Sequence, residues 1–277
     1  MSILKRSIRT ALHTFLTRAQ RRSLGAFVLN EAVGDNDGDA ATNGEFALLT
    51  RFLQQSHETP RIAFDVGANV GDWSRVFLKH TKPVDRLFAF EPSRTTYDRL
   101  RANVGGDARV TCVNSALSDH DGAATLHVAG AGLGTNSLHR RELADELNPH
   151  QRAELIDETI QLQTGDAFCA AHGIDRIDFL KIDTEGHELA VLKGFERMFL
   201  ERRIGLAQFE YGGTWLDARI QLADAFAWIR GTGYQVAKIF PSGLMYLERY
   251  DQKLETFQYA NFAAVRPESK GLWKVIE

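Results

Sequence analysis

The sequence is poor in cysteine, has no long apolar run and carries no excess of positive charge, and each shortage removes a class of function. Only Cys112 and Cys169 occur in 277 residues. Neither has metal-ligand spacing around it, so both are expected as reduced, buried thiols. No stretch reaches the roughly 18 to 20 apolar residues needed to span a bilayer. The N-terminus also lacks the uninterrupted apolar core of a signal peptide, and a cytoplasmic protein is expected. The net charge of −3 gives no basic footprint, so no nucleic-acid partner is expected. What remains is hydrophobic bulk. At 44% hydrophobic content over 277 residues, the chain suffices for one large α/β domain with an appended element.

The organising stretch is residues 61–72, RIAFDVGANVGD. Ile62, Ala63, Phe64 and Val66 suit a strand buried on both faces, ending at Asp65 and Val66. Gly67, Ala68, Asn69, Val70 and Gly71 then turn the chain into a helix over residues 72–80. Glycines permit close approach of a ligand, and free N–H groups at the helix start can receive an anion. The same turn also serves as plain strand-to-helix geometry.

Ahead of it, residues 2–22 place Ile3, Leu4, Ile8, Ala11, Leu12, Phe15, Leu16 and Ala19 at helical spacing, opposite Lys5, Arg6, Arg9, Arg18, Arg21 and Arg22. This basic amphipathic helix suits packing on the domain, a homo-oligomer contact, or a peripheral contact with an anionic membrane. Residues 34–44, rich in Asp, Asn and Gly, read as a solvated linker. Asp35, Asp37 and Asp39 resemble the opening of a calcium loop, but Gly38 is displaced from the turn position and no Glu stands at the twelfth place. The expected division is therefore residues 1–44 as helix and linker and residues 45–277 as the main domain.

After the glycine turn, strands at 86–90 and 109–113 alternate with a helix at 93–103 capped by Ser93, a rhythm that predicts a parallel, doubly wound sheet. Asp121-Gly122 suggests a hairpin over 116–128. Residues 130–138 form a glycine-rich loop with Thr135, Asn136 and Ser137, and residues 140–158 read as largely helical. A strand at 159–163 and a helix at 166–172 precede the strand 178–183, and a helix to about Leu200 follows it. Strands at 204–209, 234–240 and 255–265, with a helix at 219–230, complete the pattern, and antiparallel strands are expected at the sheet edge.

Asp65, Glu91, Asp183 and Glu210 each end an expected strand, and ligands of open α/β sheets bind beyond those ends. Glu91 stands where an acid accepts ribose hydroxyls. A nicotinamide dinucleotide, as in an NAD-dependent oxidoreductase, requires Gly-x-Gly-x-x-Gly, and Asn69 occupies the place of the second glycine. A ligand carrying a cationic amine suits Asp65 better, and S-adenosylmethionine carries one.

The motifs FDVGANVGDWS, FEPS, NSALSDHDGAATLHV, GTNSL and DFLKIDTEGHELAVLKG, together with Asp166, resemble the FkbM-type methyltransferase family. The resemblance spans roughly residues 60 to 265. It implies a class I, Rossmann-like seven-stranded sheet, mostly parallel with an antiparallel last strand. It also implies an S-adenosylmethionine-dependent O-methyltransferase acting on a sugar, glycan or secondary-metabolite hydroxyl. By that resemblance Gly67, Ala68, Asn69 and Gly71 line the methionine part of the cofactor, Glu91 takes the ribose, and Ser115 and Ala116 lie against the adenine. Gly165 departs from the leucine expected before Asp166.

The chemistry requires alignment of the acceptor and removal of its proton. Asp183, Glu185, His187 and Glu210 are the candidates, His187 because an imidazole titrates in the right range, and Asp183 is also expected to touch the cofactor. A magnesium ion between Asp183 and Glu210 is the less favoured route, since two acids make a thin shell. A non-catalytic, cofactor-binding membrane-associated adaptor is the remaining alternative.

Overall fold

In the computed structural model, residues 3–55, 60–128, 136–140, 156–272 and 275 are described. Three helices come first: α1 (Ile3–Phe15), α2 (Arg18–Val33) and α3 (Glu45–Gln55). The apolar run before the glycine turn forms β1 (Ile62–Val66), followed by α4 (Asp72–Lys79), β2 (Arg86–Phe90), α5 (Arg94–Val104) and β3 (Val110–Val113). A side sheet follows, made of β4 (Ala116–Ser118), β5 (Gly122–Val128) and β6 (Ile156–Thr164). The chain returns through α6 (Gly165–Ala171), β7 (Ile177–Ile182), α7 (Glu188–Gly194), α8 (Glu196–Leu200) and β8 (Ile204–Tyr211). It ends with α9 (Thr214–Ala218), α10 (Leu222–Gly231), β9 (Gln235–Phe240), β10 (Gly243–Leu247) and β11 (Ala260–Val265).

The expected doubly wound α/β sheet is present, with the order β10-β9-β11-β8-β7-β1-β2-β3. From β3 to β8 all neighbours are parallel, whereas β11 runs antiparallel to both β8 and β9. Eight strands replace the expected seven because β10 folds back on β9. The antiparallel strands expected at the sheet edge are there, with β10 outermost and the last strand, β11, inside β9. Every residue of ANFAAV is buried, and an edge position would leave one side of that strand without a ladder partner. On one face α3 and α4 pack Leu49, Leu53, Trp73 and Phe77 against Phe179, Leu87 and Leu206. On the other, α6, α7, α8 and α10 bury Phe168, Leu192, Phe195, Phe199 and Ile229 against Phe64, Phe88 and Leu180.

The hairpin expected over 116–128 does not form. Strand β6 lies between β4 and β5, parallel to the first and antiparallel to the second. Asp121, expected as a turn residue, instead accepts from the Thr164 N–H at 2.8 Å, tying the connection to the end of β6. Residues 130–135 and 141–155 of the expected loop and helix lie outside the described residues.

Two long helices expected from periodicity are interrupted. The N-terminal one breaks at Thr17, whose side chain caps α2 through a reciprocal box with Gln20. The helix 219–230 starts later because Arg219 takes a left-handed conformation, φ 56°. Ser93 sits at the N-cap of α5, but its side chain makes no capping bond.

The segment 34–44 is docked and not a solvated linker. Asp35 is buried and ion-paired to Lys238 of β9, itself buried. Asn36 N–H donates to Tyr259 O at 2.7 Å, and Asn43 Nδ2 donates to the Tyr259 hydroxyl at 3.2 Å. Asp37 and Asp39 accept from backbone N–H groups at 3.0 and 2.9 Å, which is local turn chemistry.

Removing one partner of a buried ion pair strands the other charge, so Asp35→Ala is expected to cost about 3–5 kcal/mol. Urea unfolding checks this. A loss below about 1 kcal/mol would show the segment to be dispensable to the fold.

Candidate active site

At the carboxyl end of β1 the turn residues Gly67, Asn69 and Gly71 all adopt positive φ, 76°, 49° and 90°. Gly67 is required by packing, because a Cβ there would lie 1.8 Å from the carbonyl oxygen of Asp183. The turn is stitched to neighbouring strands by its own N–H groups. Gly67 and Ala68 donate to Phe90 O at 3.1 and 2.9 Å, and Gly71 donates to Ala68 O at 2.8 Å. Asn69 N–H donates to Glu91 Oε2 at 3.1 Å. Four N–H groups of the turn itself are therefore spent inside the protein, while Gly71 gives the start of α4 no side-chain cap.

What the rim offers is acceptors. Glu91 is buried at the end of β2 and also accepts from Ser93 N–H at 3.0 Å. Burial pushes its carboxyl up to about 7, against the stabilising donors Ser93 and Asn69. Asn69 Oδ1 and Ser93 Oγ, which flank it, are buried without a hydrogen-bond partner among the described residues. Asn114 Nδ2 donates to both Glu91 O and Pro92 O, at 2.9 and 2.8 Å, fixing the adjoining strand end. Ser115 and Ala116 follow directly at the start of β4, and the Ser115 hydroxyl is turned toward Ala116 O and Gln161 O, each 3.1 Å away. These features fit a ligand that presents hydroxyls and an amine.

Asp65 meets a cation, but that cation is the protein's own Lys181. Its Oδ1 lies 3.3 Å from Lys181 Nζ, while Oδ2 accepts from the Ser74 hydroxyl at 2.7 Å. The carboxylate is wholly enclosed, so the amine contact expected of it is already taken. Strand register explains the meeting. Asp65 is opposite Lys181, and Lys181 is opposite Gln208, so all three point to the α3/α4 face one step beyond the apolar row Ala63, Phe179, Leu206. Lys181 Nζ also donates to Gly67 O and pairs with Asp183 Oδ2, both at 3.2 Å. Burial works to lower its pKa, yet Asp183, Asp65 and Glu45 together raise it and keep it an ammonium.

Glu45, on the first turn of α3, is a site neighbour that sequence reasoning did not select. It is buried, hydrogen-bonded by Gln208, and faces Lys181, Asp183 and Asp65. Burial, only partly offset by Lys181, pushes its carboxyl up to about 7. Nothing in an amphipathic helix start marks such a residue. Tyr259 completes this side, its hydroxyl accepting from Asn43 and from Asn261 at 3.1 Å.

Asp183, Glu185 and Glu210 come together, with carboxylate oxygens all within 4.8 Å of one another. Burial raises Glu210 well above the usual carboxylate range, and Asp183, Glu185 and Glu188 add to the effect. The Glu210 carboxyl is also hydrogen-bonded to Asp183. Glu185 enters from a tight turn, φ 56°, that Glu188 stabilises by accepting from Thr184 N–H at 2.7 Å and Gly186 N–H at 3.0 Å. Ser137 Oγ donates to Glu185 O at 2.7 Å, docking residues 136–140 on the same turn.

His187 is directed elsewhere. Its Nε2 lies 3.0 Å from Ser118 Oγ, and its ring is 5.9 Å from that of His139. Burial, reinforced by His139, lowers its pKa to about 4. The imidazole is neutral at pH 7 but a weak base, which removes the reason for preferring it.

Residues 65–236 match the family model described as Methyltransferase FkbM domain. The chain is similar to the hexuronic acid methyltransferase AglP of Haloferax volcanii, with 28% identity over 147 residues, covering 53% of this chain and 54% of that protein. It is also similar to the 2-O-methyltransferase NoeI of Sinorhizobium fredii, 29% identical over 148 residues, covering 51% and 60% respectively. Methyltransferase sdnD of Sordaria araneosa is 30% identical over 173 residues, covering 54% and 66%. The chain thus spans little more than half the length of the first two relatives.

Glu45 supplies a test of the buried charge network. Its folded-state pKa is raised to about 7 from 4.5, so its ionisation costs stability progressively as pH rises between those values. Glu45→Gln is expected to melt close to wild type at pH 5 and increasingly above it toward pH 8, in calorimetry without cofactor. A pH-independent difference would remove Glu45 from the network.

Proposed function

The chain belongs to the FkbM methyltransferase family, and from that premise we propose that it transfers a methyl group from S-adenosylmethionine to a hydroxyl oxygen of a sugar. The observation that carries the cofactor assignment is the acceptor-rich rim. Glu91, Asn69 Oδ1 and Ser93 Oγ suit ribose hydroxyls and an amine, whereas a dinucleotide pyrophosphate needs donors that this turn has already committed. When bound, S-adenosylmethionine supplies a methyl group already activated on a sulfonium, with a neutral thioether as leaving group.

The protein's part is to hold the acceptor in line and take its proton. Asp183 has the geometry for proton removal. It is partly exposed, its counter-charge Lys181 is fixed beneath it, and the Glu210 carboxyl is hydrogen-bonded to it. Glu185 completes an acceptor side of carboxyl groups that suits sugar hydroxyls, which carry both donors and acceptors. His187 serves to fasten the 184–188 turn to Ser118. The sugar class takes its support from AglP and NoeI, whose names specify a hexuronic acid and a 2-O position.

A divalent cation among Asp183, Glu185 and Glu210 is the second reading, since the structure brings the third carboxylate that the strand ends alone lacked. The raised pKa of Glu210, which disfavours its ligating carboxylate form, argues for the metal-free route. Neither α1 nor α2 buries a described side chain, so the arm that they form is proposed to rest on a surface, either a bilayer or a second copy.

Glu91→Ala is expected to weaken S-adenosylmethionine binding by at least tenfold in calorimetry, with NADH failing to bind either protein. Binding of NADH in preference would overturn the cofactor assignment. Asp183→Asn should lower kcat by about 10²-fold or more while the acceptor KM changes less, as expected for loss of a general base. Full turnover of the wild type in excess EDTA is expected, and loss restored by Mg²⁺ would install the metal reading instead.

A further inference from the structure

The chain's charge is divided unevenly. Residues 1–33 contain Lys5, Arg6, Arg9, Arg18, Arg21 and Arg22 against the single acid Glu31, a net +5. The whole chain totals −3, so the remainder carries −8. The same arm concentrates exposed apolar surface. Among the described residues, ten large hydrophobic side chains are exposed, and six of them are on α1 and α2: Ile8, Phe15, Leu24, Phe27, Val28 and Leu29. Phe15 is 81% exposed and Phe27 61%.

On α1, Ile8, Leu12 and Phe15 fall on one face, and Arg6, Arg9 and His13 fall on the opposite face. On α2 the polarity runs along the axis, with Arg18 and Arg22 in the first turns and Leu24, Phe27, Val28 and Leu29 behind them. The two helices are held in sequence by the Thr17–Gln20 box and by Arg21 Nη1, which donates to Leu16 O at 2.6 Å. Beyond α2, Asp35 fastens the chain to the domain through Lys238. Among the described residues, the arm is thus anchored at its base and buries none of its side chains along its length.

We infer that this arm docks on an anionic lipid surface, with its apolar side chains in the interface and its arginines against headgroup phosphates. The inference rests on the surface-binding reading above and is independent of the methyl-transfer chemistry. Apolar bulk beside cations, in helices of modest overall hydrophobicity, is the composition of interfacial helices. A contact between the arms of two copies would bring together two segments of net charge +5, whereas an anionic surface complements that charge. No helix among the described residues is long and apolar enough to cross a membrane, so the contact is one of lying on the surface.

The test is flotation of the full-length protein with vesicles of phosphatidylcholine alone or mixed with phosphatidylglycerol, alongside sedimentation velocity without lipid. Wild type is expected to float with the anionic vesicles and to bind neutral ones at least tenfold more weakly. The exposed quartet Arg6→Gln, Arg9→Gln, Arg18→Gln and Arg22→Gln should lose that preference, as each cation near an anionic surface contributes about fivefold in affinity. Phe15→Ser with Phe27→Ser should abolish flotation while S-adenosylmethionine binding and near-UV dichroism stay unchanged, which separates this failure from failure of the cofactor assignment. Wild type remaining with the unbound fraction in both lipids would overturn the inference. So would a stable dimer that does not float and that the phenylalanine variant dissociates, since a second copy would then be the cover.

Discussion

A single buried ammonium holds the site together. Lys181 stands between the carboxylates of Asp65 and Asp183 and donates to the carbonyl of Gly67, with Glu45 facing it from α3. A charge enclosed to this degree is tolerable only with close counter-charges and hydrogen bonds. The glycine turn after β1, Asp183 and the helix preceding the family-matched span are therefore mutually dependent. Loss of Lys181 would leave Asp65 facing Glu45 and Asp183 with nothing between them.

The polar cluster has its place because the sheet is amphipathic along its strands and not only across its faces. On the α3/α4 side, an apolar row is followed by Asp65, Lys181 and Gln208, and the next step reaches Asp183 and Glu210. Hydrophobic packing sets the helices against the first row. The second row then becomes a buried polar layer, and the third is only partly buried. Burial acts differently along this gradient, since Lys181 is compensated from several sides while Glu210, crowded by other acids, has its pKa raised.

The N-terminal region contributes to this layer in a manner that composition conceals. Residues 34–44 look like a hydrated connector because they are rich in Asp, Asn and Gly. Yet Asp35 meets Lys238, and Asn43 meets Tyr259, partners more than 200 residues away in sequence. A carboxylate's local setting gives no sign of whether a distant lysine will reach it. The same blindness hid Glu45, which reads as an ordinary acid on the first turn of a helix.

The alternation of strands and helices, the doubly wound sheet, the glycine turn after β1, and the strand-ending acids Glu91, Asp183 and Glu210 were legible in the chain before folding. These are local signals, carried by apolar periodicity, by glycine's access to positive φ, and by motifs that resemble the FkbM family. Tertiary structure alone decided which of those acids meet, that β6 would part β4 from β5, and that the buried strand β11 would take an interior place in the sheet. It also decided that Asp65 would be neutralised by Lys181 and that His187 would turn to Ser118. The physical reason is that pairing partners and charge states depend on through-space distance and burial, which exist only once strands far apart in the chain have come into register.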